Sequence, residues 1–255
     1  MRGMNNAGRL GINKAILFGI LLAALPALHG QESSSTPVPE KEGTGLRRLS
    51  FGGRVNGYPF NLLHNHDVNL TPSSTVTTTI STSNNYEKIS FGPSVELRLT
   101  HKFAVNGELL YHRLNYTQTT QISDTVNGNT GITENTRATL WDIPVMLRYR
   151  GLRESGILSK IFFSGGGALR IADHIGTNTV TNLPNGTNTS SNVPTAPAKR
   201  DVAGAVVGMG LRLVDDFNIK LTPELRYTRW MGATFDSEST RSGRNQIEVG
   251  IALTF

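Results

Sequence analysis

The sequence predicts an all-β fold, an eight-stranded antiparallel up-and-down transmembrane β-barrel. Three observations lead there. Eight segments alternate apolar and polar residues with period 2. The connections between them are long and short in strict alternation. Aromatic residues gather towards the two ends of the segments. The barrel is expected over residues 47–255, behind a signal peptide at 1–30 and a disordered lead-in at 31–46.

The signal peptide is read from Arg2, Arg9 and Lys14, the apolar run AILFGILLAAL at 15–25, Pro26 and the small Gly30. That run is too short for a transmembrane helix, which needs about 20 residues. Cleavage is placed near 27–31, with Gly30 preferred. The chain has 25 Lys and Arg against 19 Asp and Glu, a net charge of +6. Three of those basic residues and no acid lie in residues 1–30, so half of the basic excess leaves with the signal. The remaining +3 is poor support for nucleic-acid binding. The segment QESSSTPVPEKEGTG that follows is too polar to bury a core. With no Cys, a disulfide framework, a Cys-ligated zinc, an iron–sulfur cluster and a thiol nucleophile are excluded.

Each strand follows from its own alternation. LSFGGRVNGY sets Leu49, Phe51 and Val55 against Ser50, Arg54 and Asn56. ISFGPSVELRLT sets Ile89, Phe91, Val95 and Leu97 against Ser94, Glu96 and Arg98. After the turn at His101–Lys102, Phe103, Val105 and Tyr111 alternate with Asn106, Glu108 and His112. WDIPVMLRY places Trp141, Ile143 and Val145 opposite Asp142, Met146 and Arg148. IFFSGGGALRI, VAGAVVGMGLRLV, FNIKLTPELRYTRW and IEVGIALTF continue the scheme to the end of the chain. Pro93, Pro144 and Pro223 fall inside strands and remove a ladder donor each, so local bulges are expected there.

The connections at about 59–86, 115–137, 173–199 and 231–243 are long and dense in Thr, Ser, Asn and Gly. Those near His101–Lys102, 151–159 and Asp215–Asp216 are short. An even number of strands, with short turns at one end and long loops at the other, is the pattern of a barrel in a bacterial outer membrane. Tyr58, Tyr86, Tyr111, Trp141, Tyr227 and Trp230 lie towards the long-loop end, and Phe103, Tyr149 and Phe217 towards the other; together they are expected to form aromatic girdles.

A mean hydropathy of −0.22 and a charged fraction of 17%, against roughly a quarter in an average chain, look soluble. A barrel in lipid explains both, because only every second residue needs to be apolar. A soluble lipocalin-like barrel would turn the apolar face inward instead. The polar face decides between them. Arg54, Glu96, Arg98, Glu108, Asp142, Arg148, Arg170, Arg212, Lys220, Glu224, Arg226 and Glu248 all share it. So many charges suit a narrow lumen in which they pair and hold the barrel rigid, and do not suit an apolar calyx.

The strand FGGRVNGYPF, the strand WDIPVMLRYR and the passage LTPELRYTRW are similar to the small outer-membrane β-barrel proteins of diderm bacteria, the OmpA-transmembrane-like, OmpX-like and PorT-like superfamily. The ending IEVGIALTF, with Phe255 last, resembles the signal read by the barrel-assembly machinery. The resemblance covers about residues 46–255 and implies fold and location; it is poor for activity, because that superfamily holds adhesins and structural anchors alike.

Other chemistry is weaker. His64, His66 and Asp67 in LLHNHDVN offer metal-ligand types without a third spaced ligand, and a solvated loop is the simpler account. His112, Asp142 and Glu108 share a face near the outer rim, where an enzyme would need a nucleophile, but no motif places a serine. The GGG at 165–167 lacks the strand–loop–helix context of a phosphate loop and is expected to ease curvature or admit a bulky neighbour. No catalytic, cofactor or metal site is expected. The expectation is a monomeric, non-enzymatic barrel with a filled lumen, acting in structure or surface recognition through four loops. Its partners would be outer-membrane lipids, the assembly machinery and a glycan or protein ligand at the loops, with no nucleic acid. A narrow solute channel is the first alternative and a rim-located hydrolase or acyltransferase the second.

Overall fold

A computed structural model describes residues 49–84, 88–150, 157–193, 198–214 and 219–255. The expected signal peptide and lead-in lie outside these residues, as do Tyr86 and Phe217. Eight strands form a ring: β1 (Leu49–Gly57), β2 (Ile89–Arg98), β3 (Phe103–Glu108 continuing as Leu110–Asp124), β4 (Gly128–Arg150), β5 (Ile161–Asn182), β6 (Asp201–Leu211), β7 (Lys220–Trp230) and β8 (Asn245–Thr254). Each pairs antiparallel with its sequence neighbours. β8 then pairs with β1, from Gly52↔Thr254 to Gly57↔Val249, which closes the ring. Closure leaves no unpaired strand edge to face hydrocarbon, where an unmet backbone group costs several kcal/mol.

The ring is apolar outside and polar inside. Phe51, Val55, Phe91, Val145, Val207 and Ile251 are each about half exposed, whereas Arg54 and Arg226 are each 1% exposed. This is the reverse of a soluble calyx, and the packed side chains in the middle are charged.

The three strand prolines interrupt ladders without bulging them. β3 breaks at Leu109, whose N–H donates to the carbonyl of Pro93. On its other side the pairing with β4 stops at Gly107↔Val145 and resumes at Leu110↔Asp142, the two pairs that flank Pro144. Leu109 is therefore flanked on both sides by strands whose donor is missing. Near Pro223 on β7, β6 ends at Leu211, and pairing resumes at Leu213↔Leu221 in unchanged register. The expected bulges are thus gaps in pairing: a lost N–H removes one bond, but the alternation of faces holds the register.

The structure also corrects the expected loops. β4 and β5 run for 23 and 22 residues, although about 9–11 suffice to cross a membrane. The surplus of β3, β4 and β5 continues beyond the barrel as a sheet. Val76–Asn84 pairs with β3 on one side and Val68–Ser73 on its outer edge. Asn188–Val193 pairs with β5 on the opposite edge. Thr, Ile and Val in these segments favour extended backbone, and their hydroxyls bond across strands. Thr136 and Thr177 are 2.9 Å apart, and Thr79 donates to Asn69 at 2.9 Å. The tip between β3 and β4 turns at Gly128 (φ +87°), where the Asp124 carboxylate accepts the Val126 N–H at 2.9 Å. Low hydrophobicity made these stretches look like loops; cross-strand hydrogen bonding makes them strands.

Barrel and outer sheet meet at a bulge. The β4–β5 register shifts between Arg137↔Gly176 and Thr139↔Asp173, and His174 adopts φ +46°.

Candidate functional site

The lumen is built by parity. Every second residue of each strand points inward, so Arg54, Asn56, Glu96, Glu108, Asp142, Arg148, Ser164, Arg170, Glu224, Arg226, Gln246 and Glu248 meet in one buried column. Midway, Arg226 donates two hydrogen bonds to Glu108, at 2.6 and 2.7 Å. Glu224 accepts from Arg54 at 2.8 Å, from Arg148 and Arg226 at 2.9 Å each, and from Ser164 at 2.7 Å. Arg148 also reaches Glu96 at 2.9 Å, and Arg150 pairs with Glu96 at 2.5 Å. Charges removed from water are tolerated only when paired and hydrogen-bonded in this way.

A second tier lies nearer the outer face. Arg170 donates two bonds to Asp142, at 2.8 and 2.7 Å, and one to Gln246 at 2.7 Å. Its guanidinium carbon stands 4.2 Å from the centre of the Trp230 ring. Glu248 accepts from Gln246 at 2.8 Å and Asn56 at 3.1 Å, so its partners are neutral. A cavity of about 10 Å3 remains between Asp142, Arg226, Trp230 and Glu248, room for a single water. Small residues on β6 make space for these groups: a Cβ at Gly204 would lie 2.8 Å from the Trp230 ring.

Above this tier the lumen becomes apolar. Leu114, Tyr116, Ala138, Leu140 and Ala172 on β3, β4 and β5 pack with Leu63 and Phe235, which come from the first and fourth connections. Those connections are stitched together over the mouth by Leu63–Asn65 pairing with Thr240–Ser242, and by the Gly243 N–H on the Leu62 carbonyl at 2.7 Å. They act as a lid of side chains, formed only in three dimensions.

Of the twelve charges expected in the lumen, ten are buried there; Arg98 and Arg212 are half-buried at the short-turn mouth. The aromatic expectation divides. The rings of Phe103 and Tyr149 meet tilted at 5.2 Å, those of Tyr111 and Trp141 meet edge to face at 5.2 Å, and Tyr227 is exposed on the outer wall. Tyr58 and Trp230, expected in the girdle, are each 2% exposed and point inward. Their parity explains the correction: Tyr58 is in phase with Arg54 and Asn56, and Trp230 with Arg226 and Thr228. Phe255 is exposed, its N–H bonded to the Phe51 carbonyl at 2.8 Å. Arg150, Asn56, Gln246, Ser164 and Phe162 complete the lumen and were not singled out, although the same parity marks each.

His112 is 1% exposed, with its Nε2 3.7 Å from Asp142 Oδ2 and its ring 5.3 Å from Tyr58. Ser90 stands in the next register position, but its Oγ and both His112 nitrogens lack hydrogen-bond partners. No relay links hydroxyl, imidazole and carboxylate. His64, His66 and Asp67 are exposed, and among the described residues no three metal-ligating side chains cluster.

Residues 31–234 match the family model described as outer membrane protein beta-barrel domain. Among solved structures, the chain is similar to Ail, the attachment invasion locus protein of Yersinia pestis, at 10% identity. That match covers 81% of this chain and 96% of Ail, with a TM-score of 0.36. It is also similar to the outer membrane channel DcaP of Acinetobacter baumannii at 11% identity, over 82% of this chain and 72% of that one, with a TM-score of 0.23. Comparison with curated protein sequences finds no match. The family model covers most of the sequence and agrees with a closed ring that is apolar outside and charged inside. The chain therefore belongs to the outer membrane protein beta-barrel domain family, a protein of the bacterial outer membrane.

Proposed function

We propose that the protein is a sealed, monomeric, non-enzymatic barrel that presents its outer sheet to the surroundings of the cell as a recognition surface. One observation carries this: among the described residues, the sheet built from β3, β4, β5 and their flanking strands ends in two unpaired edges, Val68–Ser73 and Asn188–Val193. Such an edge offers a row of N–H and C=O groups that natural proteins usually cover. A recess of about 440 Å3 on the same sheet is lined by Asn135, Arg137, His174, Thr177 and Asn178. Amides, hydroxyls and one guanidinium suit hydrogen bonding to a glycan or to an extended protein segment. The ion-paired lumen under an apolar lid supports a structural role for the barrel over conduction. Outer-membrane lipids are the partners of the apolar wall, and the assembly machinery reads the final strand ending in Phe255.

The test is adhesion. Deleting residues 118–134 and joining Thr117 to Asn135 through Asn-Gly removes the hairpin beyond a pair already in register. Bacteria displaying the shortened barrel are expected to lose attachment to immobilised glycans and proteins that the full chain binds, while heat-modifiable gel migration persists. Equal attachment by both, or none by the full chain, overturns the proposal. Steady unitary currents in a planar bilayer overturn the sealed lumen separately.

A further inference from the structure

The lumen is balanced in its middle and unbalanced at one end. Arg98, Arg150 and Lys220 occupy inward register positions at the short-turn mouth, opposite Ala104, Phe162 and Thr254, and Arg212 lies there between the paired residues Gly210 and Leu213. Arg212 stands within Coulombic reach of Arg98, Arg148 and Arg150, and Lys220 within reach of Arg212, Arg98 and Arg150. Among the described residues, Glu96 is the acid that both of them feel. Glu96, however, is already taken by Arg148 and Arg150, at 2.9 and 2.5 Å. Arg98, Arg212 and Lys220 form no ion pair among the described residues.

These cations are also partly withdrawn from water. Lys220 is 4% exposed, and its ammonium donates to Ser50 at 2.5 Å, its one hydrogen bond among the described residues. The Nε atoms of Arg150 and Arg212 are buried with no acceptor. The turns that border the mouth do not restore neutrality. By sequence, residues 99–102, 151–160 and 213–219 carry one, two and no Lys or Arg against no, one and two Asp or Glu, so the turns add no net charge to offset the mouth. A cluster of like charges whose donors are desolvated and unmet is unfavourable by itself. It becomes favourable when an anion with several acceptor oxygens enters.

We propose that this mouth is a binding site for a phosphate group, held by Arg98, Arg212 and Lys220 with Arg150 as a further donor. Guanidinium forks match the spread of phosphate oxygens, and Lys adds a compact charge. The position favours phosphate over a carboxylate. Short turns face the periplasm in these barrels, and Phe103 and Tyr149 mark the depth of the headgroups at that end. Phosphodiesters of the inner leaflet lie at this level, and free phosphate or a soluble phosphate ester reaches it from the periplasm.

The probe is inorganic phosphate, titrated into the full chain folded in a non-ionic detergent and followed by calorimetry and by 31P line broadening. A parallel titration uses short-chain phosphatidylglycerol, with short-chain diacylglycerol as the phosphate-free control. Saturable binding is expected, weakened roughly tenfold or more in R212Q and in the R98Q/K220M pair, and retained in R212K. The outer-face variant R229Q is expected to bind like the parent. Heat-modifiable migration checks that each variant is folded. Binding of both probes assigns a general phosphate site; binding of phosphatidylglycerol without inorganic phosphate assigns a headgroup site. No saturable binding of either probe by folded protein, equal binding of diacylglycerol, or binding unchanged in R212Q and R98Q/K220M overturns the proposal.

Discussion

Arg226 and Glu108 join opposite walls of the barrel. β7 and β3 are four strands apart in a ring of eight, and two parallel hydrogen bonds of 2.6 and 2.7 Å span the lumen between them. Arg54 approaches the same carboxylate at 3.6 Å, and Arg148 at 3.9 Å. This strut cannot be shortened or moved without leaving several guanidinium groups in a dry interior.

Replacing Glu108 by Ala is therefore expected to destabilise the barrel by about 3–5 kcal/mol, since it strands the buried cations that Glu108 neutralises. Replacing Glu108 and Arg226 together by Met is expected to recover much of that loss, because neither charge is then left alone. Urea unfolding in lipid vesicles, followed by the loss of the heat-modifiable form, reads both. A double variant as unstable as E108A would contradict the strut.

The two tryptophans face different solvents. Trp141 lies on the outer wall against Tyr111, whereas Trp230 is buried beneath Arg170. Brominated lipids are expected to quench the fluorescence of the W230F variant, which keeps Trp141, and to leave that of W141F almost unchanged. Equal quenching would place Trp230 in the girdle after all.

The seam of the ring depends on a missing side chain. Gly52 on β1 faces β8 so closely that a Cβ would collide with the Leu253 carbonyl and come within 2.8 Å of the Thr254 Cα. Both neighbours are backbone and cannot rotate away. The G52V variant is expected to fail to close, giving no heat-modifiable band, while G53A, where the nearest atom lies at 3.9 Å, folds normally.

At the tip of the outer sheet, the Val126 N–H and the Asn127 side chain hold the Asp124 carboxyl below its ordinary value of 3.8. A lowered carboxylate contributes order that is fully present above that value and is lost as pH falls through and below it. The protection of the Val126 amide, its exchange rate relative to the intrinsic rate at the same pH, is expected to fall below about pH 4 and to be absent at all pH values in D124A. Protection in D124A equal to that of the parent would remove Asp124 from the turn.

Period-2 alternation was enough to place the eight strands, because a membrane barrel obliges each strand to separate its two faces. The lumen charges were legible for the same reason. Parity alone also marks Tyr58 and Trp230 as inward; an aromatic near the end of a strand drew attention to interface depth and away from facing. The outer sheet was not legible as sheet. Thr- and Asn-rich stretches bury little apolar area, so they carry no hydrophobic period, and their strands are held by partners far away in sequence, as Ile80 is by Thr120 and Val68.

The sequence by itself determined the period, the number of spans, the asymmetry of the connections and the charged identity of the polar face. These are properties of one strand at a time, set by what each face must touch. The tertiary structure decided which charges pair across the lumen. It decided that Leu63 and Phe235 close the outer mouth, that the long connections extend into a sheet, and that three cations at the short-turn mouth form no ion pair among the described residues. Each of these depends on distances between strands remote in the chain, which ring closure sets and no local pattern encodes.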